Sequence, residues 1–294
     1  MNLMILAAGE GTRLRPFTLQ KPKPRIPFFS VPMAFYTISL FEEIPINNLV
    51  VNTFHLPEQI ENLFSLIPAN WKQKFFLHEH SGLLGSGGGI HNAKKYLIGG
   101  GDFFVANGDQ IIFPHTFGVL KDMLQFHRWH KGIATLLVIE HPEVGHKFGG
   151  AWTNDSSRVI CFAKRNPGDF ASKGFHFTGV LLLSDRIFQY FKPQIEEENI
   201  LYDSLTTAMN LGEEVHVFQT KAEWFETGNP EDFMNATEKC LDKILSQPSP
   251  KPYWLEFFLQ TICLYSKNEL FIEKDWSRVE ELKTTILKVK KGEY

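Results

Sequence analysis

Apolar and polar positions alternate along the first half of the chain in the pattern of an α/β protein. Short apolar runs bounded by turn residues predict buried strands, and the segments between them place apolar residues at helical spacing. The predicted strands are residues 3–8, 49–53, 74–78, 103–106 and 134–139. The predicted helices are residues 32–43, 57–66, 89–97 and 117–130. Strands that alternate with helices indicate a parallel sheet joined by crossover helices.

The pattern changes in the second half, where strand-like runs become more frequent. The runs FHFTGVLLL (175–183) and EVHVF (214–218) predict strands, and helices are predicted near 185–191 and 202–211. A closing helix is predicted at Pro230–Leu245. The Pro- and Ser-rich stretch SQPSPKP then marks a break in the chain.

This break predicts the domain organisation. We expect a main domain at 1–245, a linker at 246–252 and a helical C-terminal extension at 253–294. The extension holds an aromatic-rich helix, YWLEFFLQTICLY, and a charged amphipathic helix at 276–291. Because helical apolar stripes usually pack, we expect both helices to cover the main domain or to join two subunits in a homodimer.

Composition narrows the choice of partners. The chain of 294 residues is 43% hydrophobic, which is enough for a sizeable core. Its net charge of −3 provides no general field for nucleic acid or an acidic membrane, so neither is expected as a partner. Cys161, Cys240 and Cys263 lie far apart, which fits neither a zinc site nor a disulfide frame. With no predicted signal peptide or membrane span, we expect a cytoplasmic protein.

The most informative stretch is LMILAAGEGTRLRPFTLQKPKPRIPF at 3–28. Its apolar strand ends at Gly9 and Gly11, and the cations Arg13 and Lys23 follow. Glycines allow a tight turn close to a ligand, and exposed backbone N–H groups next to cations suit a polyphosphate. A plain strand-to-helix turn with a solvated Arg13 is the alternative for the two glycines alone.

Two standard phosphate-binding motifs do not fit this stretch. A Walker A loop requires Lys-Ser or Lys-Thr after the second glycine, and neither is present. The dinucleotide-binding fingerprint requires a small residue where Leu14 stands, and no acidic residue lies between Gly11 and Glu42 to hold a ribose.

Two further segments follow predicted strands. Asn107, Gly108 and Asp109 come after the strand at 103–106, and ligands of parallel sheets bind beyond the carboxyl ends of strands. A carboxylate opposite two cations suits a magnesium ion that bridges to phosphate. The glycine segment 84–89 opens a helix and would let a base or phosphate lie against bare backbone. A simple turn and a flexible loop are the respective alternatives.

The N-terminal string resembles the signature of the nucleoside-diphosphate-sugar pyrophosphorylases, which are sugar-1-phosphate nucleotidyltransferases. Their signature, G-x-G-T-R-[LM]-x-P-x-T and then K-P, is present here at 9–18 and at Lys23-Pro24. Segments 84–89, 107–109, 177–180 and 224–228 resemble later family motifs in the same order, so the resemblance covers roughly 1–240. The wording is closest to N-acetylmuramate 1-phosphate uridylyltransferases and mannose-1-phosphate guanylyltransferases.

The resemblance implies a fold and a reaction. The implied fold is a Rossmann-like three-layer sandwich around a mainly parallel mixed sheet. The implied reaction is attack of a sugar 1-phosphate on the α-phosphate of a nucleoside triphosphate, which yields an NDP-sugar, such as a cell-wall or polysaccharide precursor, and pyrophosphate. Mg²⁺ is the implied cofactor.

The resemblance also implies roles for individual residues. The catalytic residues are Arg13, Lys23 and Asp109. The implied metal ligands are Asp109 and Glu226. The implied nucleotide-binding residues are Leu6, Ala7, Ala8, Gly9, Gly11, Thr12, Arg13, Lys23, Glu79, Gly85 and Ser86. The implied sugar-binding residues are Asn107, Gly149, Gly150, Thr178 and Gly179.

Three positions depart from the family pattern. Glu226 stands where an aspartate is usual, Ala163-Lys164 replaces Glu-Lys, and Arg25 occupies an apolar position. Two other functions stay open. One is a catalytically weak homologue that binds nucleotide sugar and regulates a partner. The other is a cytidylyltransferase for a phosphorylated alcohol such as phosphocholine, whose quaternary ammonium an aromatic cage would bind.

Overall fold

The computed structural model describes residues 1–67, 71–80, 82–154, 156–168, 171–246 and 251–265. Its strands are β1 Asn2–Leu6, β2 Pro27–Phe28, β3 Val31–Pro32, β4 Asn48–Thr53, β5 Gln73–His78, β6 Asp102–Asn107, β7 Ile111–Pro114, β8 Ala134–Ile139, β9 Gly150–Thr153, β10 Val159–Ala163, β11 Lys173–Ser184, β12 Val215–Gln219 and β13 Ala222–Phe225. Its α-helices are α1 Phe17–Gln20, α2 Met33–Ser39, α3 Pro57–Ser65, α4 Gly85–Asn92, α5 Lys94–Leu97, α6 Val119–His130, α7 Thr206–Asn210, α8 Pro230–Leu245 and α9 Tyr253–Tyr265. Short 3₁₀ helices lie at Thr12–Leu14, Lys23–Arg25 and Asp185–Gln189, and a π-helix lies at Ile200–Leu205.

The chain divides into two compact units. The sheet unit consists of Met1–Gly9, Phe41–Asn107 and Gly118–Lys221. The aromatic unit consists of Glu10–Leu40, Gly108–Phe117 and the described residues from Ala222 onward. Both units are therefore assembled from segments that are distant in the sequence.

The sheet unit is built on one mixed sheet. Strands β6, β1, β4 and β5 are neighbours and run parallel, and β12 pairs parallel with β8. The long strand β11 runs antiparallel to β6, β8 and β9, and β9 also pairs with β10. The predicted mixed α/β sheet is confirmed, although the antiparallel share is larger than the sequence pattern indicated.

Aliphatic side chains from the strands fill the core of the sheet unit. Met4, Val50, Val105, Leu136 and Leu181 are among its buried members. Strands that are buried on both faces read as continuous apolar runs, which explains why periodicity found them. All five first-half strands are confirmed to within two residues at each end.

The aromatic unit has a core of a different kind. The ring of Phe113 on β7 lies 5.2 Å from Phe258, 5.5 Å from Tyr36 and 5.6 Å from Phe225, measured between centroids. Trp254 stacks on the same ring at 6.4 Å. These tilted and stacked pairs use several of the phenylalanines for packing, as expected for aromatic side chains in a core.

Helix α9 is part of this core. Its bounds match the predicted aromatic helix, and Trp254, Phe257 and Phe258 are buried. The helix packs against β7, β3 and α2 within the aromatic unit. The division into a main domain, linker and extension stays a prediction, and the helix predicted at 276–291 lies outside the described residues.

Several element predictions were wrong. The helix predicted at 89–97 begins earlier, at Gly85, and is interrupted at Ala93. Strands β7 and β13 were missed because their apolar runs are short and the two partners are distant in sequence, and the antiparallel pair β9 and β10 was missed because both strands are short. Among the described residues, no helix is both long and apolar enough to cross a membrane.

Candidate active site

In the sheet unit, the carboxyl end of β1 is tied to its neighbours by a buried chain of hydrogen bonds. The backbone N–H of Ala7 donates to Oδ1 of Asn52 at 2.8 Å, and Nδ2 of Asn52 donates to Oε1 of Glu79 at 2.6 Å. Oε2 of Glu79 accepts from the backbone N–H of Leu84 at 2.8 Å. This chain joins the predicted nucleotide-binding end of β1 to the glycine segment that opens α4.

Glu79 is a buried acid with both oxygens engaged. Glu79 is only 4% exposed. Burial raises the pKa of Glu79, while the hydrogen bonds from Leu84 and Asn52 partly oppose that rise. Its contacts hold the side chain of Asn52 and the backbone of Leu84 in place. Asn52, which sequence reasoning missed, could have been found as a polar residue ending an apolar strand.

Within the glycine segment, Gly87 and Gly88 do not present bare backbone as the sequence suggested. A Cβ on Gly85 would lie 2.6 Å from the backbone oxygen of Glu198, and one on Gly88 would clash with the backbone oxygen of Glu196. The backbone N–H groups of Gly87 and Gly88 donate to the oxygen of Glu198. The reason proposed for Gly87 and Gly88 was therefore wrong: these glycines make room for another backbone segment.

The other predicted nucleotide-binding residues of the sheet unit differ in exposure. Gly85 is exposed and has a φ of 68°, a conformation that favours glycine. The hydroxyl of Ser86 accepts the backbone N–H of Ile200 at 2.9 Å. Leu6 is half-buried, Ala8 is buried and Gly9 is exposed.

The predicted sugar-binding residues lie on several elements of the sheet unit. Asn107 ends β6, and Gly150 begins β9. Thr178 is buried, and its hydroxyl donates to the backbone oxygen of Leu137 at 2.9 Å. Gly179 has a φ of 87° at an irregularity in the pairing of β11 with β8.

Gly149 has a neighbour that the sequence did not reveal. A Cβ at this position would lie 2.8 Å from the hydroxyl oxygen of Tyr202. Tyr202 is 45% exposed, and its ring meets that of Phe162 edge to face at 6.4 Å. A phenol hydroxyl next to Gly149 adds a polar group that can donate to or accept from a ligand hydroxyl.

In the aromatic unit, the loop after Gly9 is held by close packing around Gly11. Gly11 has a φ of 62°, and a Cβ there would lie 2.9 Å from Cγ2 of Thr18 and 3.3 Å from Cβ of Lys23. The hydroxyl of Thr18 donates to the backbone oxygen of Gly11 at 2.9 Å. The spacing of glycine, threonine and lysine in the motif therefore has a packing reason. Thr12 follows in an exposed 3₁₀ turn.

Lys23 and Asp109 form an ion pair. Nζ of Lys23 lies 2.6 Å from Oδ2 of Asp109, and the two side chains are 15% and 26% exposed. Burial alone would raise the pKa of Asp109, but the Lys23 ammonium and the hydrogen bonds hold that pKa below its usual value. Pro22 and Pro24 flank the lysine and restrict the backbone that carries it.

Gln110 links this pair to strand β13. Its Nε2 donates to Oδ1 of Asp109 at 3.2 Å, and its Oε1 accepts from Nε1 of Trp224 at 3.1 Å. Trp224 pairs with Ile112 in the antiparallel ladder between β13 and β7. Sequence reasoning missed Gln110, because a polar residue after Asn-Gly-Asp carries no recognisable signal.

Glu226 and Arg13 approach each other beside Gly228. A Cβ on Gly228 would clash with Oε1 of Glu226 and would lie 3.0 Å from Nη2 of Arg13. Arg13 is exposed and Glu226 is half-buried. The last glycine of the W-x-x-x-G segment therefore leaves the space in which a carboxylate and a guanidinium come together.

We call Arg13, Lys23, Asp109 and Glu226 the charged cluster. The aromatic unit brings together Lys23 with Asp109 and Arg13 with Glu226, as described above. The described residues contain no group of three or more His, Cys, Asp or Glu side chains arranged to hold a metal ion. Two carboxylates nevertheless suit Mg²⁺, which usually binds one or two protein carboxylates and completes its shell with water and substrate phosphates.

Comparison with known proteins agrees with the geometry. The family model described as nucleotidyl transferase matches residues 2–243. A mannose-1-phosphate guanylyltransferase catalytic subunit beta from Dictyostelium discoideum is 27% identical over 254 residues, covering 84% of this chain and 66% of that protein. A UTP–glucose-1-phosphate uridylyltransferase from Synechocystis is 26% identical over 253 residues, covering 83% and 64%. The chain thus spans about two thirds of the length of these curated relatives.

Solved structures support the fold. A UDP-glucose pyrophosphorylase from Acinetobacter baumannii has a TM-score of 0.68 at 18% identity, covering 90% of this chain and 99% of that one. The family predicted from the N-terminal motif is confirmed by the family model and the curated relatives. The chain belongs to the nucleotidyl transferase family, among relatives that are sugar-1-phosphate nucleotidyltransferases.

Proposed function

We propose that this protein transfers a nucleotidyl group from a nucleoside triphosphate to a sugar 1-phosphate. A phosphate oxygen of the sugar 1-phosphate attacks the α-phosphorus, the bond from that phosphorus to the bridging oxygen breaks, and pyrophosphate leaves. The observation that carries the proposal is the ion pair of Lys23 with Asp109 in the charged cluster. Two cations on a loop that has no room for a larger residue at Gly11, each accompanied by a carboxylate, suit phosphate chemistry.

Each cation has a distinct role in the proposal. Arg13 is exposed, so its guanidinium is free to bind the β- and γ-phosphates that leave as pyrophosphate. Lys23 is more buried and is aimed by its flanking prolines, which suits a contact with the α-phosphate and the sugar phosphate. Such fixed charges stabilise the transition state because they need little reorganisation during the reaction.

Asp109 and Glu226 would hold Mg²⁺. The lowered pKa of Asp109 keeps this carboxylate ionised at neutral pH, as a metal ligand requires. When bound, the ion would neutralise charge on the phosphates. Gln110 holds the second oxygen of Asp109 and so fixes the direction of its carboxylate.

The sheet unit would bind the neutral parts of the substrates. The base and ribose are assigned to Leu6, Ala7, Ala8, Gly9, Gly85 and Ser86, with Asn52 and Glu79 as positioning residues. The sugar is assigned to Asn107, Gly149, Gly150, Thr178 and Gly179. Tyr202 is added to the sugar residues because its hydroxyl borders Gly149. Since Ala163-Lys164 replaces the usual Glu-Lys pair, this hydroxyl offers a polar contact that the family pattern does not contain.

The test is a pyrophosphate-release assay with the full chain. Four nucleoside triphosphates are combined with a panel of sugar 1-phosphates and phosphocholine, each with Mg²⁺ or with a chelator. We expect release with at least one sugar 1-phosphate, loss of release with the chelator, and recovery when Mg²⁺ is restored.

Three other outcomes of this assay would change the proposal. Release only with CTP and phosphocholine would replace the proposal with the phosphorylated-alcohol reaction. Nucleotide-sugar binding without release under any combination would replace it with the regulatory homologue. Release that persists in the chelator would contradict the magnesium assignment.

A further inference from the structure

A second cationic site lies in the sheet unit, at the other end of β6 from Asn107. Asp102 begins β6, Ser184 ends its antiparallel neighbour β11, and Arg128 and Lys131 lie at the end of α6. These residues and Arg186 line a cavity of about 280 Å³. None of them belongs to the charged cluster or to the predicted nucleotide and sugar contacts.

Asp102 orients one wall of this cavity. Its Oδ2 accepts from Nε of Arg128 at 3.4 Å, and its Oδ1 lies 3.5 Å from Nε2 of the buried His127. The hydrogen bond from His127 is the main cause that keeps the pKa of Asp102 below its usual value, so the carboxylate is charged at neutral pH. Nη2 of Arg128 lies 4.0 Å from Sδ of Met1, and neither terminal nitrogen has an oxygen partner within the described part of the chain.

Arg186 is held at the cavity by backbone and side-chain oxygens. Nη2 of Arg186 donates to the backbone oxygen of Lys131 at 3.0 Å, and its Nε donates to Oγ of Ser184 at 3.3 Å. Glu213 lies 3.4 Å from the same Nη2, so part of this charge is already paired. Lys131 ends α6 with a φ of 55°, and its ammonium makes no ion pair with any described residue.

The balance of charges decides what the cavity can hold. Three cations and one carboxylate line it, on a protein whose net charge is −3. Single exposed cations are usually only solvated, but here two guanidinium groups are fixed by other contacts around one space. Guanidinium forks match the oxygens of phosphate geometrically, and their fixed orientation reduces the entropy lost on binding.

We propose that this cavity binds a small anion that carries a phosphate group. The terminal nitrogens of Arg128, Nη1 of Arg186 and the Lys131 ammonium supply the donors. The volume approaches the lower end of the range for small-molecule sites, so it accommodates a phosphate together with a small organic part. This proposal does not depend on the transfer reaction proposed above.

Equilibrium dialysis of the full chain with radiolabelled inorganic phosphate tests the site. Arg128→Gln with Lys131→Asn removes two donors, and asparagine tolerates the left-handed backbone at 131. We expect at least one equivalent of bound phosphate to weaken tenfold or more. Arg13→Gln should retain that equivalent, because it alters the charged cluster only. Lys121→Gln is the matched control on α6, since Lys121 pairs with Glu43 and does not line the cavity.

Two results would overturn the proposal. One is unchanged phosphate binding in the double variant. The other is the absence of any phosphate binding at millimolar concentration that depends on Arg128 or Lys131. If the double variant melts earlier than wild type, Lys131→Asn alone repeats the measurement, because the exposed ammonium of Lys131 makes no ion pair with the described residues that the substitution would remove. Competition with glycerol 3-phosphate identifies the source: displacement at lower concentration than with inorganic phosphate indicates an organic phosphate, and equal displacement indicates the free ion.

Discussion

The two compact units contribute to the proposed reaction in different ways. In the sheet unit the predicted contacts are backbone groups and glycines at strand ends, supported by the buried Asn52 and Glu79. In the aromatic unit the predicted contacts are charged side chains. The same unit contains the short antiparallel ladder of β7 with β13 and the aromatic core. Backbone groups suit recognition of a neutral base and sugar, whereas phosphate transfer requires charged groups that are already held in place. In the proposed reaction, recognition of base and sugar and binding of phosphate are thus assigned to different parts of one chain.

The core of the aromatic unit should be the most sensitive to truncation. Phe258→Ala removes a ring that is fully buried against Phe113 and Tyr36. We expect a loss of about 3–5 kcal/mol in the free energy of unfolding. Urea denaturation monitored by circular dichroism measures it.

The matched control is Leu264→Ala on the same helix, since Leu264 is 61% exposed. It should change stability by less than about 0.5 kcal/mol. A small effect of Phe258→Ala would mean that α9 is a dispensable extension and that the contrast between the two cores is wrong.

Removal of the charge at position 23 should have the largest effect on rate. Lys23→Gln takes away the cation that pairs with Asp109, and the loss of one transition-state contact costs about 3–4 kcal/mol, or roughly a thousandfold in kcat. Lys21→Gln, an exposed neighbour outside the charged cluster, should keep the wild-type rate. Pyrophosphate release measures both. Equal rates in the two variants would remove Lys23 from the mechanism.

Gln110 should act through Asp109 and therefore on magnesium. Gln110→Leu leaves Oδ1 of Asp109 without its donor and breaks the contact with Trp224. We expect the Mg²⁺ concentration for half-maximal activity to rise about 10–100-fold, the range seen when partners of metal ligands are lost. Nucleotide KM at saturating Mg²⁺ should change little.

Trp224→Phe sharpens this measurement. It removes the indole N–H that Gln110 accepts but leaves the bond to Asp109. A smaller shift in the same direction is expected. A variant at 110 that loses activity without any change in Mg²⁺ dependence would contradict the positioning role.

In the sheet unit, substitution of Gly88 should lower the stability of the fold without removing any charged group. Gly88→Ala places a methyl group against the backbone oxygen of Glu196, so we expect a loss of about 1–3 kcal/mol. Gly100→Ala is the suitable control, because its Cβ would lie 3.6 Å from the nearest atom. Gly99 also lies in open surroundings, but its φ of 88° would strain an alanine. Thermal melting compares them. Equal melting temperatures would show that the segment 196–198 moves aside freely.

The smallest expected effect is the pH dependence of the Lys23–Asp109 pair. Because the pKa of Asp109 is lower in the folded chain than its usual value, its contribution is present above the usual carboxyl pKa and is lost as pH falls through the lowered pKa. We expect about 1 kcal/mol or less at neutral pH. The difference in unfolding free energy between wild type and Asp109→Asn should shrink between pH 6 and pH 3. A constant difference would argue against the ion pair.

Sequence patterns alone gave the order of the main strands and helices and the glycine loop that is followed by Arg13 and Lys23. Continuous apolar runs identify β1, β4 and β8 because buried parallel strands need no polar face. The string from Gly9 to Lys23 is informative because Gly11 has no room for a side chain beside Thr18 and Lys23. Such local constraints can be read from residues that are close together in the sequence.

Only the tertiary structure decided which distant residues meet. Gln110 and Trp224 are 114 positions apart, and Ala7 and Asn52 are 45 apart, yet each pair forms a hydrogen bond. Gly87 and Gly88 were misinterpreted for the same reason, since the backbone of residues 196–198 that fills their space lies more than a hundred residues away. Local patterns report which conformations a segment prefers, whereas long-range contacts depend on the packing of the whole unit, and no periodicity in the sequence records them.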